Sequence, residues 1–226
     1  MRRYLTVLML VGLLTALVAV VVVLGVSVPD AAASKLVPSA GIDQLAHENG
    51  PIENLQVMAL ACAFALFCLQ ATKEPGASRT AAVALASLCF IVLLREVDFR
   101  MFDAPDWLIT VTSGRGRKII HWAMASLTVI YVLSRFRHIP SLIRSSLTWK
   151  AWPFYIWFPL LLVGQEIEDW THEARNDAVN EYWANGQFWE ELFELNAYLV
   201  LLFAAFVFSD VYGSSGPRNT AGAQNR

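Results

Sequence analysis

The sequence is poor in charged residues and has no strong charge of either sign. Charged side chains make up 16% of the 226 residues and the net charge is −2, so a broad basic surface is absent and nucleic acid is excluded as an expected partner. Hydrophobic side chains make up 56% of the chain, above the roughly 45–50% of ordinary soluble domains. The composition therefore predicts an all-α integral membrane protein of the polytopic kind.

Cysteine and histidine are also scarce, with three and four residues. Cys62, Cys68 and Cys89 fall inside apolar runs, where neither a disulfide between loops nor a CxxC redox pair can form, so they are expected to be packing residues. No HExxH pattern fixes a metal site. His121 and His138 lie at opposite ends of one apolar run without a matching His at similar depth on another run, which argues against paired haem ligation.

Long apolar runs dominate what is present, and they predict about six transmembrane helices in one membrane domain, residues 1–212, followed by a disordered polar tail, 213–226. The first run is longer than the ~7–15 apolar residues of a cleaved signal peptide, so an uncleaved helix is favoured over cleavage near Ala31 to Ala33. The predicted spans are approximately 5–28, 52–70, 80–94, 119–133, 151–165 and 190–208.

Lysine and arginine in the loops favour cytoplasmic N- and C-termini. The margin is modest, because the basic run from Arg115 to Lys118 falls on the other side. Arg95 and Arg100 also fall there, but acids stand beside them, so they are expected to be paired rather than to direct the topology.

Acidic residues stand at one end of most of the predicted spans. The predicted topology, in which successive spans alternate in direction, brings those ends to one side of the membrane. Reversing the orientation would move the whole group to the other face without dispersing it. Acids so close to apolar runs are costly and are usually retained for a reason. The sequence therefore predicts a carboxylate-rich site at the outer mouth of the bundle, with Arg95 and Arg100 as charge partners and these candidate residues: Glu53, Glu96, Asp98, Glu166, Glu191 and Glu194.

Helical spacing refines this site. Glu190 and Glu191 lie four and three residues before Glu194, so each shares a helix face with it, and like charges so placed repel. At least one acid is thus expected to be protonated, paired with an arginine or bound to a cation. Asp169 and His172 are three residues apart, a spacing at which both can reach one metal ion. These two residues, with His121 at the start of the fourth span, are the predicted ligands of a divalent metal.

Three functions fit such a site. A structural or partner-binding role, in which acids and arginines form ion pairs at helix ends, is favoured because such charges are common at membrane interfaces. A membrane-embedded hydrolase of lipid headgroups, in which the acids and histidines either bind a divalent metal or act as general acid and base, is the first alternative. A proton or cation transporter is the second, weakened because the middle of the spans carries almost no ionisable residue. Membrane lipids are the expected partners, and a protein partner or a homo-oligomer is left open.

Three short motifs carry a resemblance to a known group. Glu48-Asn-Gly-Pro-Ile-Glu53, the block from Arg95 to Arg100 and the helix start Glu190-Glu-Leu-Phe-Glu194 resemble an uncharacterised family of bacterial multi-pass inner-membrane proteins. The resemblance implies a bacterial inner-membrane location and brings no activity with it. A more distant likeness is to the ceramidase-like membrane hydrolases, but the sixth span lacks the late paired histidines of that family.

Overall fold

The computed structural model describes residues 50–97, 104–176 and 180–213, and in 170–187 it describes the backbone alone. The predicted first span, 5–28, lies outside these residues, as do Asp98, Arg100 and nearly all of the predicted tail. Every regular element within the described ranges is helical. The all-helical class is therefore confirmed for this part of the chain.

The described residues form seven α-helices and two short 3-10 helices. The 3-10 helices are Phe136–His138 and Trp149–Ala151. The α-helices are α1 Pro51–Lys73, α2 Gly76–Glu96, α3 Asp106–Thr112, α4 Gly114–Ser134, α5 Ile139–Ser146, α6 Pro153–Asn176 and α7 Asn180–Tyr212.

A short turn joins α1 and α2. Pro51 occupies the first turn of α1, where its missing N–H is not needed, and Glu53 lies in the same turn, where the helix dipole favours an anion. The turn after Lys73 includes Pro75 and then Gly76, whose φ of 60° favours glycine. Both helices bury alanines against each other, which allows the close backbone approach typical of membrane helix pairs.

The central helix is α7, which packs against α6, α1 and α2. Gln56 of α1 contacts Glu191, and Gln70 contacts Ser209, so α1 runs parallel to α7. Arg95 at the end of α2 contacts Glu194 near the start of the apolar part of α7, so these two helices are antiparallel. The shared core is apolar and includes Leu60, Phe67, Cys89, Leu201 and Phe208.

The outermost described long helix is α4, which packs mainly against α2 and α3. Arg117 Nη1 donates to the backbone carbonyl of Arg95 at 3.2 Å, and Thr80 Oγ1 lies 3.0 Å from His138 Nδ1 just beyond the other end of α4. These contacts make α4 antiparallel to α2. No residue of α4 is buried, and Trp122 and Ile130 are 75% and 61% exposed, so this helix presents an apolar face to its surroundings.

Three helical segments are long and apolar enough to cross a membrane: α1, α2 and Phe188–Tyr212 within α7. They correspond to the second, third and sixth predicted spans. The fourth corresponds to α4, which passes the same test only together with Phe136–Ser146, across a bend of 71°. The helix α6 covers the fifth predicted span but is not among the candidates found in the described residues. A membrane protein with three to four candidate spans is supported, and six spans are not confirmed.

Removing the ring of Phe208 should destabilise the fold. This fully buried ring lies 5.9 Å from Phe67, 6.4 Å from Phe154 and 5.0 Å from Tyr212, measured between centroids. Phe208→Ala leaves a cavity that we expect to lower the free energy of unfolding by about 3 kcal/mol. Unfolding with sodium dodecyl sulfate in mixed micelles, followed by circular dichroism, measures this loss.

The control is Phe206→Ala, two residues away, because this ring is 63% exposed and its removal opens no cavity. Equal losses in the two variants would contradict the central position of Phe208.

Candidate functional site

Arg95 lies in the last turn of α2 and joins two carboxylates. Its Nη2 donates to Glu194 Oε1 at 3.0 Å, and its Nε lies 3.7 Å from Glu96 Oε1. The side chain of Arg95 is 39% exposed, whereas those of Glu96 and Glu194 are 9% and 5% exposed. The guanidinium therefore reaches from a partly open position to two almost completely buried acids.

Tyr198 completes this ion-paired group. Its hydroxyl donates to Glu96 Oε1 at 2.7 Å, and the side chain is fully buried. Tyr198 and Glu194 are four residues apart on α7, so they share the face that packs against α2. A hydrogen bond to a charged oxygen is stronger than a neutral one, so α2 and α7 are joined by two polar contacts side by side.

Gln56 forms a second link, between α1 and α7. Its Nε2 donates to Glu191 Oε2 at 2.8 Å and to the Glu191 backbone carbonyl at 3.0 Å. The residue is fully buried, and its Oε1 has no hydrogen-bond partner among the described residues. A buried acceptor of this kind is costly, since it has lost its hydrogen bonds to water.

Further acids surround these two links. Glu53 interacts electrostatically with Glu96 and Glu191, and Glu168 of α6 does so with Arg95 and Glu194. Glu190 also interacts with Glu168 and Glu194. We call these residues the carboxylate cluster, and its members are Glu53, Glu96, Glu168, Glu190, Glu191 and Glu194.

Gly164 lets α6 approach the cluster closely. A Cβ at this position would lie 3.2 Å from Glu194 Cγ and 3.4 Å from the backbone carbonyl of Glu190. Contacts this short leave almost no room for a larger side chain between α6 and α7. The glycine thus contributes to the exclusion of water from Glu194.

The structure brings together four of the six carboxylates singled out from the sequence: Glu53, Glu96, Glu191 and Glu194, with Arg95 among them. Glu166 and Asp169 are exposed on α6. Asp98 and Arg100 lie outside the described residues, and so does the side chain of His172. The roles assigned to these residues stay predictions.

Sequence reasoning missed Gln56 and Tyr198. A faint signal existed for both, because Gln56 lies three residues after Glu53 and Tyr198 four residues after Glu194, so each shares a helix face with a predicted site residue. The sequence suggests only a loop position for Arg117, although its guanidinium group donates a hydrogen bond to the Arg95 backbone carbonyl at the end of α2.

The described residues contain no group of three or more His, Cys, Asp or Glu side chains placed to share a metal ion. His121 on α4 interacts with the charges of Arg117 and Arg95, and its Nε2 is buried with no hydrogen-bond partner in the described part of the chain. Metal binding by His121, Asp169 and His172 stays a prediction, as does the hydrolase that would depend on it.

Tyr198→Phe should weaken the contact between α2 and α7. The change removes the hydroxyl that donates to Glu96 while keeping the buried ring. We expect a loss of about 1–2 kcal/mol in the free energy of unfolding, as for a hydrogen bond to a charged group in a partly buried site. Thermal unfolding in detergent measures it.

Tyr131→Phe on α4 is the matched control, since the Tyr131 ring contacts the guanidinium of Arg135 through its face, which the change keeps. If the Tyr198 variant unfolded at the wild-type temperature, the hydroxyl would contribute nothing to the contact between α2 and α7.

Comparisons of the chain with models of protein families, with curated proteins and with solved structures found no match. The resemblances described for the sequence rest on the short motifs quoted with them.

Proposed function

We propose that the chain is a multi-pass protein of the bacterial inner membrane with six spans and cytoplasmic termini. The contacts of α1, α2, α4, α6 and α7 support this threading, because these helices alternate in direction along the chain, as successive membrane spans must. One end of the described bundle is basic, with Lys73, Arg79 and the segment between α4 and α6, which favours that end as cytoplasmic. The carboxylate cluster then lies at the outer mouth.

The role that the geometry supports best for the cluster is structural. The observation that carries this proposal is the ion pair between Arg95 and Glu194, whose side chain is 5% exposed. A charge buried so completely is strongly destabilising without its partner. A substrate would have to displace Arg95 to reach Glu194, so this acid is better suited to hold α2 against α7 than to act on a ligand.

A partner-binding role belongs to the same end of the bundle. Glu166 and Asp169 are exposed on α6, next to the buried cluster. Exposed acids held on a rigid helix can pair with basic groups of another protein, and electrostatic complementarity of this kind governs specificity and association rate. The exposed apolar face of α4 faces membrane lipids in this proposal.

A double-mutant cycle tests the structural role. Arg95→Gln leaves Glu194 buried without its partner, and we expect a loss of about 3 kcal/mol in the free energy of unfolding. Because neutral amides replace both charges in the combined Arg95→Gln and Glu194→Gln protein, its loss should be smaller than that of Arg95→Gln alone. Unfolding in mixed micelles measures all four proteins.

Arg115→Gln is the control, since Arg115 is exposed at the same end of the bundle. Strictly additive losses would contradict the proposal, since additive changes indicate that the two side chains do not interact in the folded protein.

One observation favours a second function, the binding and passage of protons or cations. Among the described residues, the six acids of the carboxylate cluster outnumber the two guanidinium groups that interact with them, Arg95 and Arg117, and Gln56 Oε1 stands without a described partner beside Glu191. Partly buried acids in such excess favour the uptake of positive charge. A proton shared within the cluster, or a bound cation, would satisfy both the acids and the amide oxygen.

Ion flux tests this second function. In proteoliposomes with an internal pH dye and a potassium gradient, the wild-type protein should pass protons or cations, and Glu191→Gln should abolish the flux. Glu74→Gln at the opposite end of the bundle should leave it unchanged. A flux no greater than that of empty vesicles would contradict this second proposed function.

A further inference from the structure

The chain changes direction sharply after α4. Residues 136–151, which we call the bend segment, comprise the two 3-10 turns and α5 between them. The helices on either side of this break are inclined to each other by 71°. If α4 crosses the membrane, α5 runs nearly parallel to the membrane surface, at the depth where the span ends.

The bundle fixes the bend segment in this position. Ser146 Oγ lies 2.7 Å from the hydroxyl of Tyr212 on α7, and the hydroxyl of Tyr155 on α6 donates to the Ser146 backbone carbonyl at 2.7 Å. Leu142 packs against the apolar core, and His138 contacts Thr80 of α2. One side of the segment is therefore held by three neighbouring helices.

A second side is apolar and exposed. Ile143 and Leu147 are four residues apart and are 55% and 80% exposed, and Phe136 and Trp149 are 62% and 71% exposed. Ile143 and Leu147 share a helix face at this spacing, and exposed large apolar side chains so placed mark a site of interaction. Tryptophan at such a position is typical of the boundary between hydrocarbon and water.

Exposed basic side chains lie beside this apolar side. Arg144 follows Ile143 directly, so it lies about 100° further round the helix. It is exposed together with Arg135, Arg137 and Lys150, and the sequence from 107 to 165 contains no Asp or Glu at all. A short helix with an apolar side, an adjacent cationic side and a flanking Trp has the pattern of an interfacial membrane helix.

A cavity of about 360 Å³ opens beside this basic surface. It lies between α5, the first turn of α2 and the end of α7, and Ser141 and Ser145 contribute hydroxyl groups to its lining. Hydroxyl groups and the free amides at a helix start both suit a phosphate oxygen. The cavity adds a polar recess to the cationic side.

We propose that the bend segment binds anionic phospholipid headgroups at the membrane surface, with Ile143 and Leu147 inserted among the acyl chains and Arg137 and Arg144 against the phosphates. Charge complementarity selects this occupant, because clustered cations beside a span are attracted to an anionic leaflet. An apolar side next to a basic side also matches the arrangement of acyl chains and phosphates at a membrane surface. The site is at the opposite end of the bundle from the carboxylate cluster, so this proposal does not depend on the function proposed for the cluster.

Native mass spectrometry of the full-length protein in detergent tests the headgroup preference. The probes are phosphatidylglycerol and phosphatidylcholine with the same acyl chains. The wild-type protein should retain phosphatidylglycerol in preference, and the combined Arg137→Gln and Arg144→Gln change should weaken its binding about fivefold for each charge removed. Arg115→Gln with Lys118→Gln, which removes two exposed charges at the other end, should leave this binding unchanged. Equal retention of the two lipids by the wild type, or equal losses in both variants, would overturn the proposal.

Depth measurements test the placement. Nitroxide labels are attached at Ile143→Cys or Arg144→Cys in a protein whose three native cysteines are replaced by alanine, reconstituted in vesicles of phosphatidylglycerol and phosphatidylcholine. Oxygen should relax the label at 143 more strongly, and an aqueous nickel chelate the label at 144. Equal accessibility to the chelate would place the segment in water. Protection of both labels from both reagents would indicate contact with protein instead, and either result would overturn the proposal.

Discussion

A charge in a medium of low dielectric needs a partner, and the ion pair between Arg95 and Glu194 meets that need at the point where α2 and α7 meet. The need to pair these two charges also determines how the neighbouring helices are positioned along one another. Because Arg95 closes α2, the register of α7 must bring Glu194 to that level, and Tyr198 then reaches Glu96 one turn further along. Gly164 allows α6 to cover the pair, and Gln56 ties α1 to Glu191 at the same depth. Three helices are thus joined by polar contacts at this end of the bundle, and a fourth packs closely against them.

The same physical constraint segregates charge along the bundle. Between Glu194 and Asp210, α7 carries no Asp, Glu, Lys, Arg or His, and the stretches 54–72, 80–94 and 122–134 are free of these residue types too. Charges therefore collect at the two ends, acids with Arg95 and Arg117 at one and mostly cations at the other. The cationic end contacts α7 through Ser78, which donates to the Tyr212 backbone carbonyl, and through Ser146. At the acidic end the hydrogen bonds between helices are accepted by carboxylates, whereas at the cationic end they are formed by serine hydroxyl groups.

Composition and charge position were sufficient to predict the helical class and to bring Glu53, Glu96, Glu191 and Glu194 to one end, because apolar length and helix direction are local properties of the sequence. Which acid Arg95 pairs with was not predictable, since its contact with Glu194 depends on how α2 packs against α7. Gln56 and Tyr198 were not predicted because an uncharged polar residue inside an apolar run gives only a weak signal, its helical spacing from a site residue. The fifth predicted span is not confirmed, because the apolar part of α6 extends only from Pro153 to Gly164 before acids begin. The orientation of α5 could not be predicted either, since a helix of eight residues is too short to show a clear helical period in the sequence.

The balance between the structural role and ion passage depends on what lies beyond the cluster. An ion that binds beside Glu191 has entered from the acidic end, and it must then cross the apolar middle of the bundle. On α7 the distance from Glu194 to Asp210 is about 24 Å at 1.5 Å per residue, and no acid or base on that helix divides it. Proton pathways through membranes rely on ionisable side chains or water at intervals, whereas the described middle is filled by Phe67, Leu201 and Phe208. The acids and Arg95 can hold the helices together without any such route, so the ion pair accounts for more of the described structure than a pathway does.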